Sequence, residues 1–471
     1  MLFNSYPFLL FFIVVFVIYY LPFAFIKRTQ LYVLILASFF FYAYQKPILL
    51  LLLVFSVLIN SCFSYGVYKV HSRHIKKILL FGVIFNLSIL AFFKYSPLLA
   101  SSLGGDLSGK NGLLGFLMAI PLPIGISFYT FEGISLLMDL YQGKTILNLK
   151  THSFLEHFKK TAFFISFFPH LIAGPILKAR EFYPQMGTKY FKDIPWESAI
   201  KKIVLGFFLK MVVADNLNEL TSTIQFPFFQ GYSSGNLVLL LFGYSMQIFA
   251  DFAGYSLIAI GLGALLGYKL PDNFNFPYIS SSFSEFWRRW HISLSTWLRD
   301  YLYFPLGGSR KGELRTYFNL FIVMFLGGLW HGAAWNYAVW GGMHGLVLMI
   351  ERFIYKDKLD TEKRSAFGMF YVFFTVTVLW LMFKLTHFDQ VVAYAKSIFL
   401  NRHIALKLGI DQISILCYSL FVIIYHALYL IKEKQFYSKY IYKYDTLWYG
   451  IMLFMIVVNS GSQGKFIYFQ F

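Results

Sequence analysis

Long apolar runs separated by short basic segments dominate the pattern of this chain. Several of these runs approach the roughly 20 residues that a helix needs to cross a bilayer. The pattern predicts an all-α polytopic membrane protein, in which residues 1–471 form a single integral membrane domain. The predicted spans are residues 6–26, 31–44, 48–68, 78–95, 203–214, 237–252, 317–337, 338–353, 370–385, 413–431 and 447–458.

Two further apolar segments contain helix-breaking residues. Residues 121–132 begin with prolines and a glycine, and residues 163–176 are short and contain Pro169 and Pro175. Broken backbone at membrane depth is tolerated where protein or a cavity surrounds it. We therefore predict that the first segment forms part of a cavity wall and that the second is re-entrant.

Residues 282–301 are too polar to cross a membrane, yet their apolar positions follow a helical spacing. Ser282, with Glu285 three residues later, matches a capping box and predicts the start of a helix. We expect an amphipathic helix at the cytoplasmic interface, with arginines available to phosphates. Interfacial anchoring by tryptophan and arginine alone is an equally open interpretation. The positions expected on the apolar face are Phe286, Trp290, Leu294, Trp297, Leu298 and Tyr301.

Gln247 and Asp251 lie four residues apart within one apolar run. Polar groups of this kind are costly in lipid, so both side chains should point into the protein from one helix face. A structural hydrogen-bond pair between helices and a contact with substrate both remain open.

His331 lies in an almost uncharged stretch. Placing a histidine within the membrane costs free energy, so we treat His331 as a functional candidate. Catalysis and a satisfied structural histidine remain open on this ground alone. Gly327, Gly328 and Gly332 predict close approach of a neighbouring backbone. Trp335 is expected one turn from the imidazole, on the same helix face.

The formal net charge of +19 arises from lysines and arginines in short loops between apolar runs. This is the positive-inside pattern, and with no basic tail or stacking module we expect no nucleic-acid partner. Counting the basic loops places the N-terminus and the C-terminal tail outside, and the first run is interpreted as a retained helix. Cys62 and Cys417 match no metal-ligand spacing, and we predict packing residues and no metal site.

Seven short motifs are spread over almost the whole chain. They are residues 1–5, 169–175 (Pro-His-Leu-Ile-Ala-Gly-Pro), 251–256, 287–298, 305–310, 329–332 (Leu-Trp-His-Gly) and the terminal Phe-Ile-Tyr-Phe-Gln-Phe. In these motifs the chain resembles the membrane-bound O-acyltransferases, and specifically the bacterial branch that O-acetylates polysaccharides such as peptidoglycan and alginate. It also resembles the D-alanine transferase of teichoic acids, whose small companion peptide ends in a similar Phe-x-Tyr-x-x-Phe.

The resemblance implies a ring of transmembrane helices around a central cavity, with re-entrant and interfacial helices. Residues 281–346 would be the catalytic core, with His331 catalytic and His291 important. Residues 460–471 would be a tail supplying the Phe-x-Tyr-x-x-Phe motif in cis, with Tyr468 carrying the acyl group. The residues predicted to bind substrate are Trp287, Arg288, Arg289, Trp290, Trp330, Trp335, Gln247, Asp251 and Arg310.

The resemblance also implies acetyl-CoA as donor, with no bound cofactor. The receiver would be a serine of a separate periplasmic SGNH-type acetyltransferase, and the setting a bacterial inner membrane with both termini periplasmic. We favour peptidoglycan as the final acceptor, with alginate or another exopolysaccharide as alternatives.

A tyrosine carrier and a histidine base are chemically compatible. A phenol with a pKa of about 10 is a poor nucleophile at neutral pH, and becomes competent when a neutral imidazole takes its proton. His331 would be this base. An interfacial aromatic anchor is the alternative for Tyr468, and a transporter or a non-catalytic scaffold is the alternative for the whole chain.

Overall fold

The structure, a computed structural model, describes residues 1–69, 74–103, 112, 115, 117, 122–143, 153–172, 174–355, 365–385, 387–431, 442–462 and 464. Within these residues all regular structure is helical, as the sequence predicts. The α-helices are α1 (Tyr6–Tyr20), α2 (Ala24–Ala43), α3 (Ile48–Lys69), α4 (Ile75–Ser102), α5 (Ile126–Tyr141), α6 (Phe154–Ser166), α7 (Phe168–Leu171), α8 (Ala179–Phe182), α9 (Trp196–Phe207), α10 (Asp215–Thr221), α11 (Ser234–Leu265), α12 (Phe283–Arg289), α13 (Ile292–Leu298), α14 (Glu313–His331), α15 (Trp335–Tyr355), α16 (Ala366–Leu379), α17 (Leu381–Lys384), α18 (Phe388–Leu400), α19 (Ile410–Ile431) and α20 (Asp445–Val458). Two π-helical turns, Phe208–Ala214 and Arg299–Tyr303, follow α9 and α13.

Five helical segments in the described part of the chain are long and apolar enough to cross a membrane. They are Ile48–Lys69, Ile75–Ala100, Ser234–Leu265, Ala366–Lys384 and Ile410–Ile431. Helix α11 differs from the others, because 89% of its most apolar window is buried in the protein, against 22% for α4 and α19. It is a core helix, and its polar residues Gln247 and Asp251 have protein partners.

The first predicted span, residues 6–26, is divided in the structure. Helix α1 ends at Tyr20, Leu21 is extended with ψ 137°, and α2 begins at Ala24. The residue before a proline avoids the helical conformation, and Pro22 follows Leu21. Lys27 therefore lies in the first turn of α2, and the prediction of one continuous helix over residues 6–26 is wrong.

The described residues fall into two compact units, one of Met1–Ile200 with Ala259–Pro271 and the other of Lys201–Ile258 with Asp272–Phe471. In the first unit, the rings of Phe8, Phe11, Phe41 and Phe168 pack together with centroids 5.2–6.3 Å apart. These contacts bury α7 against α1 and α2.

Both predicted chain breaks lie in the first unit. Gly125 has φ 78°, and a Cβ there would lie 2.6 Å from the carbonyl oxygen of Leu171. The break thus lets the start of α5 approach α7. Residues 163–172 and 174–176 are divided among the end of α6, α7 and non-helical backbone, so they form no continuous span. The buried His170 and Glu132 join α7 to α5, with Nδ1 and Oε1 3.0 Å apart.

In the second unit, α14 and α15 form a tight antiparallel pair. A Cβ on Gly328 would collide with the carbonyl oxygen of Tyr337, and one on Gly341 with that of Met324. The close approach predicted at Gly328 is confirmed, and it is possible because small residues face each other.

The cysteines are not packed inside the protein. Cys62 on α3 and Cys417 on α19 are both exposed. The prediction that they are packing residues is wrong, since apolar helices of this kind place many side chains outside the core.

Candidate active site

His291 and His331, 40 positions apart in the sequence, meet in the second unit. Their ring centroids are 6.2 Å apart. His291 is fully buried, and His331 retains 6% of its surface. His331 is the last residue of α14, and His291 lies at the junction of α12 and α13.

The predicted amphipathic helix is broken at His291. This residue has φ 42° and ψ 54°, a left-handed conformation that costs a non-glycine residue about 1–3 kcal/mol. All six apolar positions expected to be buried are buried, so the apolar face is confirmed although the helix is not continuous. The predicted helix start is also observed, since the Ser282 hydroxyl accepts a hydrogen bond from the backbone N–H of Glu285 (3.0 Å).

Asn273 holds His291 in this conformation. Its side-chain oxygen accepts hydrogen bonds from Nδ1 of His291 (3.1 Å) and from the backbone N–H (3.2 Å) and hydroxyl (2.8 Å) of Ser293. Because the backbone N–H of Ser293 can only donate, the atom that it shares with the imidazole is the amide oxygen, and the side-chain nitrogen is left to donate to the hydroxyl of Ser256 (3.1 Å). Nδ1 of His291 therefore carries the proton.

The other nitrogen of His291, Nε2, is buried and has no hydrogen-bond partner among the described residues. Burial lowers the pKa of His291 to about 3, because the charged imidazolium loses its hydration. The ring is neutral near pH 7, and Nε2 is a hydrogen-bond acceptor.

Aromatic rings surround the pair. Phe252 of α11 packs edge-on against His291 at 4.7 Å between centroids. Trp330, Trp340 and Phe383 lie 5.2–5.3 Å from His331. Such a site excludes water and strengthens electrostatic interactions within it. Two imidazoles in it can accept, donate and relay a proton.

A further buried histidine, His344 on α15, was not singled out from the sequence. Its ring lies 4.5 Å from Trp340 and 5.2 Å from Trp287. Neither nitrogen has a hydrogen-bond partner among the described residues. The signal that marked His331, a lone histidine in an apolar run, also applies to His344.

The predicted tryptophans divide into two groups. Trp287, Trp290 and Trp330 are buried in the aromatic cluster around the histidines. Trp335 is 61% exposed and begins α15, after extended backbone at Gly332 (φ −158°). The predicted span 317–337 is thus two helices, and the prediction that Trp335 shares the helix face of His331 is wrong.

The three predicted arginines differ in their contacts. Arg289 Nε donates to Glu285 (2.8 Å) and Nη1 to the carbonyl of Asn275 (3.0 Å), so this side chain stabilises its own segment. Arg288 and Arg310 are exposed. Their binding of phosphate stays a prediction.

Gln247 and Asp251 are both 3% exposed on α11, which confirms that they point inwards. Each has its own partner on another element. Gln247 Nε2 donates to Asn218 (2.9 Å), and Asp251 forms an ion pair with Lys210 (2.7 Å). Lys210, which was not predicted from the sequence, also pairs with Asp215 (2.7 Å).

Two further predictions concern Tyr468 and metal binding. Tyr468 lies outside the described residues, the last of which is Gly464. Among the residues that the structure describes, no group of histidine, cysteine and acidic side chains could hold a metal ion.

Comparisons with known proteins agree with the motifs. A model of the membrane-bound O-acyltransferase family matches residues 115–388. The chain is 41% identical over 359 residues to a probable alginate O-acetylase of Pseudomonas aeruginosa, covering 75% of this chain and 66% of that protein. It is 37% identical over 345 residues to a peptidoglycan O-acetyltransferase of Helicobacter pylori, covering 68% of this chain and 64% of that protein.

A teichoic acid D-alanyltransferase of Bacillus subtilis is 34% identical over 246 residues, which cover 50% of this chain and 60% of that protein. The matched regions thus span 60–66% of the length of these three relatives.

Proposed function

This chain belongs to the membrane-bound O-acyltransferase family, and from that premise we propose that it transfers acetyl groups from cytoplasmic acetyl-CoA to an acceptor outside the membrane. The observation that carries the proposal is the meeting of His291 and His331 in a buried aromatic site. A neutral imidazole in a dry site is a suitable general base for acyl transfer.

We assign the base to His331 and the acyl carrier to Tyr468. The phenol loses its proton to the imidazole, and its oxygen attacks the carbonyl carbon of the thioester. An aryl ester forms, the carbon–sulfur bond breaks, and the thiolate of CoA takes the proton from the imidazolium. His291 Nε2 accepts a hydrogen bond from the bound substrate.

In the second step, a serine hydroxyl of a periplasmic SGNH-type partner attacks the aryl ester. The acetyl group moves to the serine, and the phenol of Tyr468 is restored with the proton released by that hydroxyl. A relay of this kind suits the two compartments, since acetyl-CoA is highly charged and only the acetyl group has to pass through the bilayer.

The acceptor is a polysaccharide of the cell envelope in this proposal, with peptidoglycan favoured and alginate or another exopolysaccharide as the alternative. One relative is named as a peptidoglycan O-acetyltransferase and another as a probable alginate O-acetylase, so the names support the class of acceptor. The bacterial inner membrane, with a periplasmic tail, is the setting that this route requires.

The test is the mass of the C-terminal peptide after purified protein has been incubated with acetyl-CoA. We expect a hydroxylamine-labile acetyl adduct on Tyr468 that is absent from Tyr468→Phe. Tyr444→Phe is the matched control, because Tyr444 is exposed at the start of α20 and should leave the adduct unchanged. An equal adduct in Tyr468→Phe would refute the carrier assignment, and a folded protein that consumes no thioester would favour a transporter or scaffold.

A further inference from the structure

A buried cluster of three charged residues lies in the second unit, apart from the histidines. Lys210 Nζ lies 2.7 Å from Asp215 Oδ1 and 2.7 Å from Asp251 Oδ1, and all three side chains are at most 4% exposed. Removing such charges from water is costly unless their remaining hydrogen-bonding capacity is satisfied. One ammonium group faces two carboxylates, so the cluster requires further donors.

The backbone of the C-terminal segment satisfies part of the remaining hydrogen-bonding capacity of the cluster. The carbonyl oxygen of Gly464 accepts a hydrogen bond from Lys210 Nζ (3.4 Å), and the Gly464 backbone bonds to the carboxylate of Asp215. The segment that follows α20 therefore contacts the charged cluster at Gly464.

Three more hydrogen bonds hold the same segment. The N–H of Gly461 donates to the carbonyl of Met211 (2.9 Å), and that of Ser462 to the carboxylate of Glu219 (3.1 Å). The side-chain amide of Asn216 donates to the carbonyl of Asn459 (3.0 Å). Residues 459–462 and 464 are thus bonded to the π-helical turn and to α10.

The fit depends on glycine. A Cβ on Gly461 would lie 2.6 Å from the backbone nitrogen of Asn216 and 2.7 Å from the carbonyl carbon of Asp215. A Cβ on Gly464 would lie 2.9 Å from Asp215 Oδ1, the end of a side chain that can move. Since backbone cannot move aside as a side chain can, Gly461 is the more stringent position.

The helix that carries Asp251 also supports the histidine site. Phe252, the residue after Asp251, packs against the ring of His291 with 4.7 Å between the ring centroids. Ser256, one turn further along the helix, accepts the hydrogen bond from Asn273. At the level of the cluster a Cβ on Gly254 would lie 2.8 Å from the carbonyl oxygen of Gly206, so α9 and α11 cross in close contact. The cluster and the histidine site therefore share one rigid support.

We propose that Lys210, Asp215 and Asp251 form a socket that holds the base of the C-terminal tail and thereby positions Tyr468 for acyl transfer. The three are positioning residues, and the inference rests on the carrier role given to Tyr468 above. Tyr468 follows Gly464 by four residues, so a held Gly464 confines it to a reach of about 14 Å, against about 35 Å for a chain free from the end of α20. The volume within reach of Tyr468 is therefore about 15-fold smaller when Gly464 is held. The local concentration of Tyr468 rises by the same factor.

The test compares Gly461→Ala, Gly464→Ala and Gly450→Ala in the full-length protein. Gly450 is the matched control, because a Cβ there meets no atom within 4 Å. We expect Gly461→Ala to slow formation of the Tyr468 acetyl adduct by about tenfold, and Gly464→Ala to slow it less. Gly450→Ala should match the parent protein. In this proposal the socket acts on the tail and not on the donor, so the acetyl-CoA concentration for half-maximal rate should not change.

Hydrogen exchange of residues 459–464 is measured on the same variants. Faster exchange in Gly461→Ala with a slower adduct supports the socket. Faster exchange with an unchanged adduct rate overturns the positioning role, and so does unchanged exchange in Gly461→Ala. Failure of the proposed function has a different result, since the parent protein would then form no adduct on Tyr468.

Discussion

Two buried histidines, one in each unit, have partners of different kinds. In the first unit, His170 Nδ1 lies 3.0 Å from the carboxylate of Glu132, and neither side chain is exposed. In the second unit, Nδ1 of His291 donates to the neutral amide oxygen of Asn273, and a second imidazole lies 6.2 Å away. Loss of His170 would leave a buried carboxylate without its partner, whereas loss of His291 would leave a neutral amide without its partner. Both histidines are buried, so the partner, more than burial, decides whether a histidine serves stability or chemistry.

The largest expected effect is on transfer by His331→Gln. Removing a general base from a dry site should lower the rate of adduct formation by about 1000-fold, with the unfolding temperature nearly unchanged. His403→Gln is the matched control, since His403 is exposed. Adduct mass and thermal unfolding in detergent measure the two effects. Retained transfer in His331→Gln would exclude the base assignment.

The opposite result is expected for His170→Ala. An uncompensated buried Glu132 should destabilise the first unit by about 3–5 kcal/mol, while transfer per folded molecule stays close to that of the parent. The double variant with Glu132→Gln should recover part of the stability, because it removes the unpaired charge. Loss of transfer without loss of stability would place His170 in the chemistry and remove the contrast between the units.

A smaller effect is expected for Asn273→Ala. Without the amide oxygen, His291 loses the partner that fixes its tautomer and ring orientation, and we expect the rate to fall by about 10–100-fold, the effect known for partners that orient metal-binding histidines. Ser256→Ala keeps the amide oxygen in place and should be milder. The measurement is the rate of adduct formation, and equal rates in Asn273→Ala and the parent would contradict the orienting role.

The smallest effect concerns pH. The pKa of His291 is about 3 in the folded protein, below its ordinary value of about 6.5, so the unfolded chain binds a proton first as the pH falls. The contribution of neutral His291 to the free energy of unfolding should be fully present above pH 6.5 and should decrease between about pH 6.5 and 3. From pH 7 to 5.5 the expected loss is about 1 kcal/mol. His291→Asn should lack this component of the slope. The measurement is thermal unfolding at pH 7 and pH 5.5. The same pH dependence in His291→Asn and in the parent protein would contradict the contribution assigned to His291.

The burial of side chains along a helix was more predictable from the sequence than the residue at which the helix ends. The burial of Phe286, Trp290 and Leu294 follows from local spacing, and the structure confirms it. The break at His291 does not follow from that spacing, because the hydrogen bonds that compensate its left-handed backbone come from Asn273, 18 residues earlier. Trp335 shows the same limit, since composition placed it in one span with His331, whereas the extended backbone at Gly332 puts it at the start of the next helix.

The amino-acid sequence alone predicts that the chain is helical and membrane-embedded, and that its isolated polar groups are costly, because both properties depend on the composition of each local segment. It also identified His291 and His331 as the histidines to consider. Only the tertiary structure decided which partner each buried group has: Asn273 for His291, Glu132 for His170, and Lys210 for Asp251. These pairs join separate elements, and the free energy of a buried polar group depends on the partner that folding brings to it.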